Sequence, residues 1–222
     1  AIILLFSSCI LDNDCIVGSG TKITKEITLP EFTKFESFGA NTIIVTQGDI
    51  QKVEVTGYPN IINDLETEVR NKTWKMEFQD DECYRNAELT IHITIPKIER
   101  ADLNGTGKIT INNFENNSKD LSLNLSGSGD FELNTTSGTE NLDIKIDGSG
   151  EIKALGNFTD LENLNIVIKG SGDYDGFPLI TDNATINILG SGDCNVFVNS
   201  LLDTAKKNKL PLKIIYLNIK MI

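Results

Sequence analysis

The chain has 222 residues, enough for one substantial core without a metal or disulfide staple. Its 32 acidic against 20 basic side chains leave a net charge of −12, which argues against a phosphate-backbone binder and against attraction to an anionic membrane surface. One His and one Trp leave little material for zinc ligation, proton shuttling or base stacking, and a chain with 18 Gly is rich in turns, which points away from a helical enzyme.

In chain order, the first feature is the apolar run Ala1 to Phe6, followed by Ser7, Ser8 and Cys9. This run is far short of the roughly 20 residues needed to cross a bilayer, so it reads as the tail of a truncated export signal. The small residues before Cys9 resemble the lipobox of bacterial lipoproteins, which makes Cys9 the expected lipidation site and the lipid bilayer an expected partner. Phe6 stands where that box usually has Leu, and the alternative is a buried first strand. Residues 1–21 are therefore expected to be signal, lipobox and a polar tether.

Residues 22–222 read as one all-β domain, irregular over 22–100. Short alternating runs lie around Ile27 to Leu29, Ile43 to Val45, and Val53 with Val55. Trp74, Met76 and Phe78 alternate with polar residues, and Leu89, Ile91, Ile93 and Ile95 form an inward face closed by Pro96. The one weak helix candidate is residues 62–70. His92 points away from the inward face and has no nucleophile beside it, so it is not a triad member.

From residue 101 to 198 the sequence repeats. Turns of the type GSGD start at Gly105, Gly127, Gly148, Gly170 and Gly190, at successive spacings of 22, 21, 22 and 20 residues. A unit this small cannot bury its own apolar face and must stack on its neighbours. Period-2 runs precede the turns, among them Leu121, Leu123, Leu125 and Leu164, Ile166, Ile168, as expected for strands with one wet face. The pattern predicts a right-handed parallel β-helix, a β-solenoid with coils of roughly 20–22 residues.

The turn pairs Gly105 and Gly107, Gly127 and Gly129, Gly148 and Gly150, Gly170 and Gly172, and Gly190 and Gly192 are expected to be structural. They allow positive φ in a tight arc, an assignment that includes Gly172, and close approach between coils. Ser128, Ser149, Ser171 and Ser191 should then form a ladder. Residues 199–222 depart from the repeat and read as an atypical C-terminal cap, with a short helix from Leu201 to about Lys207 and a closing strand.

The acids after the turns, Asp130, Glu151, Asp173 and Asp193, should also stack, with Lys108 in the first repeat. Like charges at strand spacing repel by roughly 1 kcal/mol per pair in water, so they splay into solvent or share a cation; a solvated edge is expected and a weak Ca²⁺ site is the alternative. Carboxylates on adjacent coils suit sugar chemistry, which makes Asp173, Asp175 and Asp193 the acid and base candidates of an alternative carbohydrate-active enzyme. No repeat has the long loops that would build a catalytic groove. Cys15 and Cys83 suggest no disulfide framework, Cys194 reads as a core hydrophobe, and no motif calls for a cofactor or metal.

The segment at residues 32–69 and the serial GSGD turns up to Gly190, joined to Val45, Thr46, Gln47 and Gly48, resemble the putative auto-transporter adhesin family with a head GIN domain. The resemblance implies an exported surface or periplasmic β-helical domain, anchored at the outer membrane of a bacterial envelope, with no catalytic residues to carry over. The expected function is a binding, adhesion-like or scaffold module whose partner is a surface glycan or envelope protein.

Overall fold

The computed structural model describes residues 15–78, 83–206 and 213–216; Cys9 and the rest of the expected signal lie outside them. In the first half come β1 (Ile16–Val17), β2 (Ile23–Ile27), β3 (Lys34–Gly39), β4 (Thr42–Gln47), β5 (Lys52–Gly57), helix α1 (Pro59–Asn63), β6 (Val69–Arg70), β7 (Thr73–Met76), β8 (Tyr84–Arg85) and β9 (Thr90–Ile95). The repeats supply β10 (Arg100–Gly105), β11 (Lys108–Ile111), β12 (Asp120–Gly127), β13 (Asp130–Leu133), β14 (Asn141–Gly148), β15 (Glu151–Ala154), β16 (Asn163–Gly170), β17 (Asp173–Ile188), β18 (Cys194–Lys206) and β19 (Lys213–Tyr216).

The chain is all-β, but it is not the parallel β-helix expected from the period. Its 17-stranded sheet is mixed, with β2 antiparallel to β5, β5 antiparallel to β9, and β6 antiparallel to β7. The physical reason lies in residues 22–98, which lack the paired turn glycines and instead fold back. Asn71 and Lys72, at φ 51° and 58°, make the two-residue link of the β6–β7 hairpin. Strand β2 then lies across the end of the stack, where it covers an otherwise open edge. The helix sits at Pro59–Asn63, with Pro59 in its first turn, and not at 62–70, where Val69–Arg70 is already strand. Residues 201–206 continue β18 and are not helical.

Within the repeats each strand pairs in parallel with its counterpart one repeat later. One ladder runs β3, β10, β12, β14, β16 and the second half of β17; the other runs β4, β11, β13, β15, the first half of β17, β18 and β19. The register places turn glycine on turn glycine: Gly39, Gly105, Gly127, Gly148 and Gly170 are successive partners. Single bridges from Phe114 to Thr136 and from Thr136 to Phe158 continue the stacking past the ends of the second set.

Alternate side chains point into one continuous core. Ile109, Phe131, Ile152, Tyr174 and Cys194 stack in one row, Leu103, Leu125, Ile146, Ile168 and Ile188 in another, and all are 2% exposed or less. Burial of each such aliphatic side chain contributes about 1.5–3 kcal/mol. Polar groups at a corner are paired: Asn117 accepts from Ile98 N–H and donates to Thr139 Oγ1. On the outer face, amides of Asn141, Asn163 and Asn183 donate in series to Asp120, Asn141 and Asn163 at 2.7–3.2 Å.

The two glycines of a turn have different tasks. Gly105, Gly127, Gly148 and Gly170 have φ between 103° and 152°, whereas Gly172, assigned positive φ on sequence, does not adopt it. Its constraint is space, since a Cβ there would lie 2.6 Å from Gly150 O and 2.5 Å from Ile146 Cγ2. The carbonyls of Gly105, Gly127 and Gly148 each accept two amides from the next turn, as Gly148 does from Ser171 and Gly172 at 2.9 Å, and Gly170 O accepts from Ser191 N–H. Ser128, Ser149, Ser171 and Ser191 each contribute one of these amides, and their side chains lie on the exposed edge.

Sequence reasoning set Cys15 and Cys83 apart, but they form a disulfide with Cα atoms 4.4 Å apart. It fastens β1 to β8, and Asn60 of α1 adds bonds to Val17 O and Ser19 N. Ile61 and Ile62 close the core at this end.

Two predictions follow from these contacts. Gly172→Val should lower stability in urea melts by roughly 1–3 kcal/mol through overpacking, while Asp173→Asn, which keeps an acceptor for Asp193 N–H, should stay within about 0.5 kcal/mol of the parent. Cys83→Ser should cost roughly 2–4 kcal/mol, because the bond restrains a loop of 68 residues in the unfolded chain; reduction of the parent should reproduce that loss.

Candidate binding surface

The acids after the turns do stack. Lys108, Asp130, Glu151 and Asp173 are successive register partners, and the next outward row holds Thr110, Glu132, Lys153 and Asp175. Cations in either row offset the repulsion: Lys108 Nζ donates to Glu132 Oε1 at 2.6 Å, and Lys153 Nζ lies 2.6 Å from Glu151 Oε2. The Glu151 carboxylate beside it raises the affinity of Lys153 for its proton. Asp193 enters through its backbone, donating N–H to Asp173 Oδ1 at 2.7 Å. Among the described residues no group of three or more His, Cys, Asp or Glu is placed to hold a metal ion.

That geometry bears on the enzyme candidates. Asp173 and Asp193 are exposed, Asp175 is half-buried, and none of the three lines any of the three principal grooves. Asp173 serves as a cap for the next turn. His92 is exposed on β9 between Ile44 of β4 and Glu54 of β5. Cys194 is buried in the core row already described.

A groove of about 600 Å³ opens instead across β7, β3 and β10. Parallel register brings Thr73, Lys34 and Arg100 into one row and Lys75, Glu36 and Asp102 into the next. The guanidinium of Arg100 anchors the floor, with Nη2 donating to Glu36 Oε1 at 2.6 Å and Nε lying 3.2 Å from Asp102 Oδ2. Lys75 Nζ approaches Glu36 from the other side at 3.8 Å, and Lys34 Nζ is 3.2 Å from Glu99. Burial pushes the Asp102 carboxyl above the usual carboxylate range, against the opposing pull of Asn124 and Arg100.

The segment after α1 brings Glu66, Glu68 and Arg70 to the groove, and Glu77 joins them. Glu68 and Arg70 form an exposed two-point pair at 2.7 Å. Four cations and four carboxylates thus line a polar, open depression with no apolar wall, which suits a hydrated ligand with many hydrogen-bonding groups better than a small apolar one. Two smaller depressions differ in character. The one of about 500 Å³ is acidic, holding Glu140, Asp160, Glu162 and Asp182, and the one of about 290 Å³ includes Phe32, Ile50 and Pro96.

None of the groove residues was singled out on sequence. The signal was nonetheless present, since KFESFG at 34–39 pairs residue for residue with RADLNG at 100–105, which makes residues 34–45 a repeat whose turn has lost its second glycine. Asn41 stands in the place of that glycine, donating to Phe38 O and accepting from Leu89 N–H.

Comparison with other proteins bears on this architecture. Among solved structures, a putative adhesin from Bacteroides fragilis is similar at 18% identity and a TM-score of 0.77, covering 90% of this chain and 99% of its own. A putative lipid binding protein from Parabacteroides distasonis is similar at 20% identity and a TM-score of 0.61, covering 90% and 96%. A putative adhesin from Parabacteroides merdae is similar at 17% identity and a TM-score of 0.61, covering 91% and 96%. At these identities the likeness concerns the fold. None of the curated proteins matches. The family model described as "Putative auto-transporter adhesin, head GIN domain" matches residues 31–208, from the groove strands through the last glycine turn. The chain therefore belongs to that family.

Proposed function

We propose that the protein is a non-catalytic binding module of the bacterial cell envelope, and that the groove over β7, β3 and β10 takes a surface glycan. The observation that carries the reading is the groove itself, where Arg100, Lys75 and Lys34 alternate with carboxylates on rigid strands. A charged or hydroxyl-rich chain can exchange hydrogen bonds with such a floor at little cost in backbone reorganisation. Family membership supports an adhesion-like role. The Cys15–Cys83 bond supports an oxidising compartment such as the periplasm or cell surface. Cys9 is the residue assigned to acylation, with the outer membrane as its bilayer.

Binding is tested by presenting purified protein to neutral and acidic polysaccharides. Saturable retention should fall about tenfold or more for Arg100→Ala, the scale of losing a charge-assisted contact, and remain unchanged for Lys145→Ala, which lies on the same face outside the groove lining. Equal retention by both variants would reject the groove, and shortening of a glycan by the parent would reject the non-catalytic reading.

Anchoring has its own test. The full precursor expressed in a bacterium should partition with membranes, and Cys9→Ser should move it to the soluble fraction. Membrane retention of a Cys9→Ser, Cys15→Ser double variant would refute acylation at Cys9.

A further inference from the structure

We propose that the depression of about 290 Å³ beside the groove is a subsite for the acetamido group of an N-acetylated amino sugar, so that the two together select such sugars within a glycan. This rests on the reading of the groove as a glycan site and names the sugar it favours.

The depression and the groove share a border. Lys72 O, in the link of the β6–β7 hairpin, accepts the N–H groups of Thr33 at 3.1 Å and of Lys34 at 3.0 Å. Lys34 and its neighbour across the hairpin, Asn71, line the groove, whereas Thr33 and Lys72 line the depression. A ligand on the groove floor can therefore place a substituent in the depression at the hairpin link. The wall is held before any ligand arrives. Gln51, between β4 and β5, accepts from Phe32 N–H at 3.0 Å through Oε1 and donates through Nε2 to Leu29 O at 3.1 Å and Pro30 O at 3.0 Å. A wall fixed in this way loses little freedom on binding.

Three chemistries meet in the lining. Phe32, Ile50 and Pro96 are apolar, and Ile50, 82% accessible, is the most exposed large hydrophobic side chain among the described residues. Glu31 and Asp49 are acceptors and Lys72 is a donor, and none of the three has an ion-pair or side-chain hydrogen-bond partner among the described residues. Thr33 Oγ1 is enclosed without a hydrogen-bond partner, a deficit that a ligand carbonyl relieves once the side chain turns to another staggered χ1 state.

An acetamido group answers all three. Its N–H donates to a carboxylate, its carbonyl accepts from Lys72 or Thr33, and its methyl covers Ile50 and Pro96. A hydroxyl in its place would leave the apolar side chains uncovered, and a long alkyl chain would desolvate Lys72, Glu31 and Asp49 without pairing them. The volume lies at the low end for small-molecule pockets, which suits one sugar unit.

The purified full chain is titrated with chitotetraose and cellotetraose, which share one backbone and differ only in carrying an acetamido group or a hydroxyl at one carbon of each sugar. The parent should bind chitotetraose about tenfold more tightly, the scale of one covered methyl and one added hydrogen bond. Ile50→Ser should abolish that preference and leave cellotetraose binding unchanged, while Arg100→Ala should weaken both alike. Ile50 is exposed, so its replacement should not move the urea midpoint. Equal affinity of the parent for the two, with both weakened by Arg100→Ala, would overturn the acetamido subsite and leave the glycan groove standing. A preference undiminished in Ile50→Ser would overturn its placement in this depression. Binding of neither tetrasaccharide would also overturn the inference, and the polysaccharide retention assay then decides the glycan reading separately.

Discussion

The contact on which the structure depends is the approach of one glycine backbone to another across successive turns. A carbonyl such as Gly148 O accepts two amides from the turn above it, and a side-chain carbon at Gly172 would have nowhere to go. Because the turns meet at a fixed height, the strands on either side inherit one register over many repeats, and a slip of one residue would turn every inward Leu and Ile outward. Core packing and surface chemistry are both consequences of that register.

Inside, the register stacks aliphatic and aromatic side chains in rows, and outside it stacks polar ones, with different solutions at different rows. Amide side chains tolerate stacking on their own kind, since each can donate to the next, as Asn141, Asn163 and Asn183 do. Carboxylates do not, and the row Asp130, Glu151, Asp173 is accompanied by Lys108 within it and Lys153 beside it. The groove is the same rule at the irregular end, where Lys34 on Arg100 and Glu36 on Asp102 would each repel, and the diagonal contact of Arg100 with Glu36 resolves both.

Much of this was legible in the sequence because strand alternation and turn glycines are local signals. Leu121, Leu123, Leu125 and their counterparts in the next repeats all face inward as their period requires. What failed was the extrapolation of one parallel geometry to the whole chain, since residues 22–98 contain strands of the right composition without the turns that force parallel stacking, and β2, β5 and β6 pair antiparallel. The disulfide was hidden for a different reason. Its partners are 68 residues apart and meet only through the folding of everything between them. Likewise the groove depends on pairing between residues 34–39 and 100–105, and the turn after 34–39 has Asn41 where the second glycine that marks the other repeats would stand.

The glycine-on-glycine register also has an evolutionary reading. Each repeat within the regular part pairs only with the one before and the one after it, so duplication of one unit can add about 4.8 Å of height while the ends keep their own contacts. The height of the stack is then a quantity that unequal recombination can adjust in single steps, with the groove near one end left untouched. Copy number alone thus sets how far the groove stands from the opposite end of the sheet.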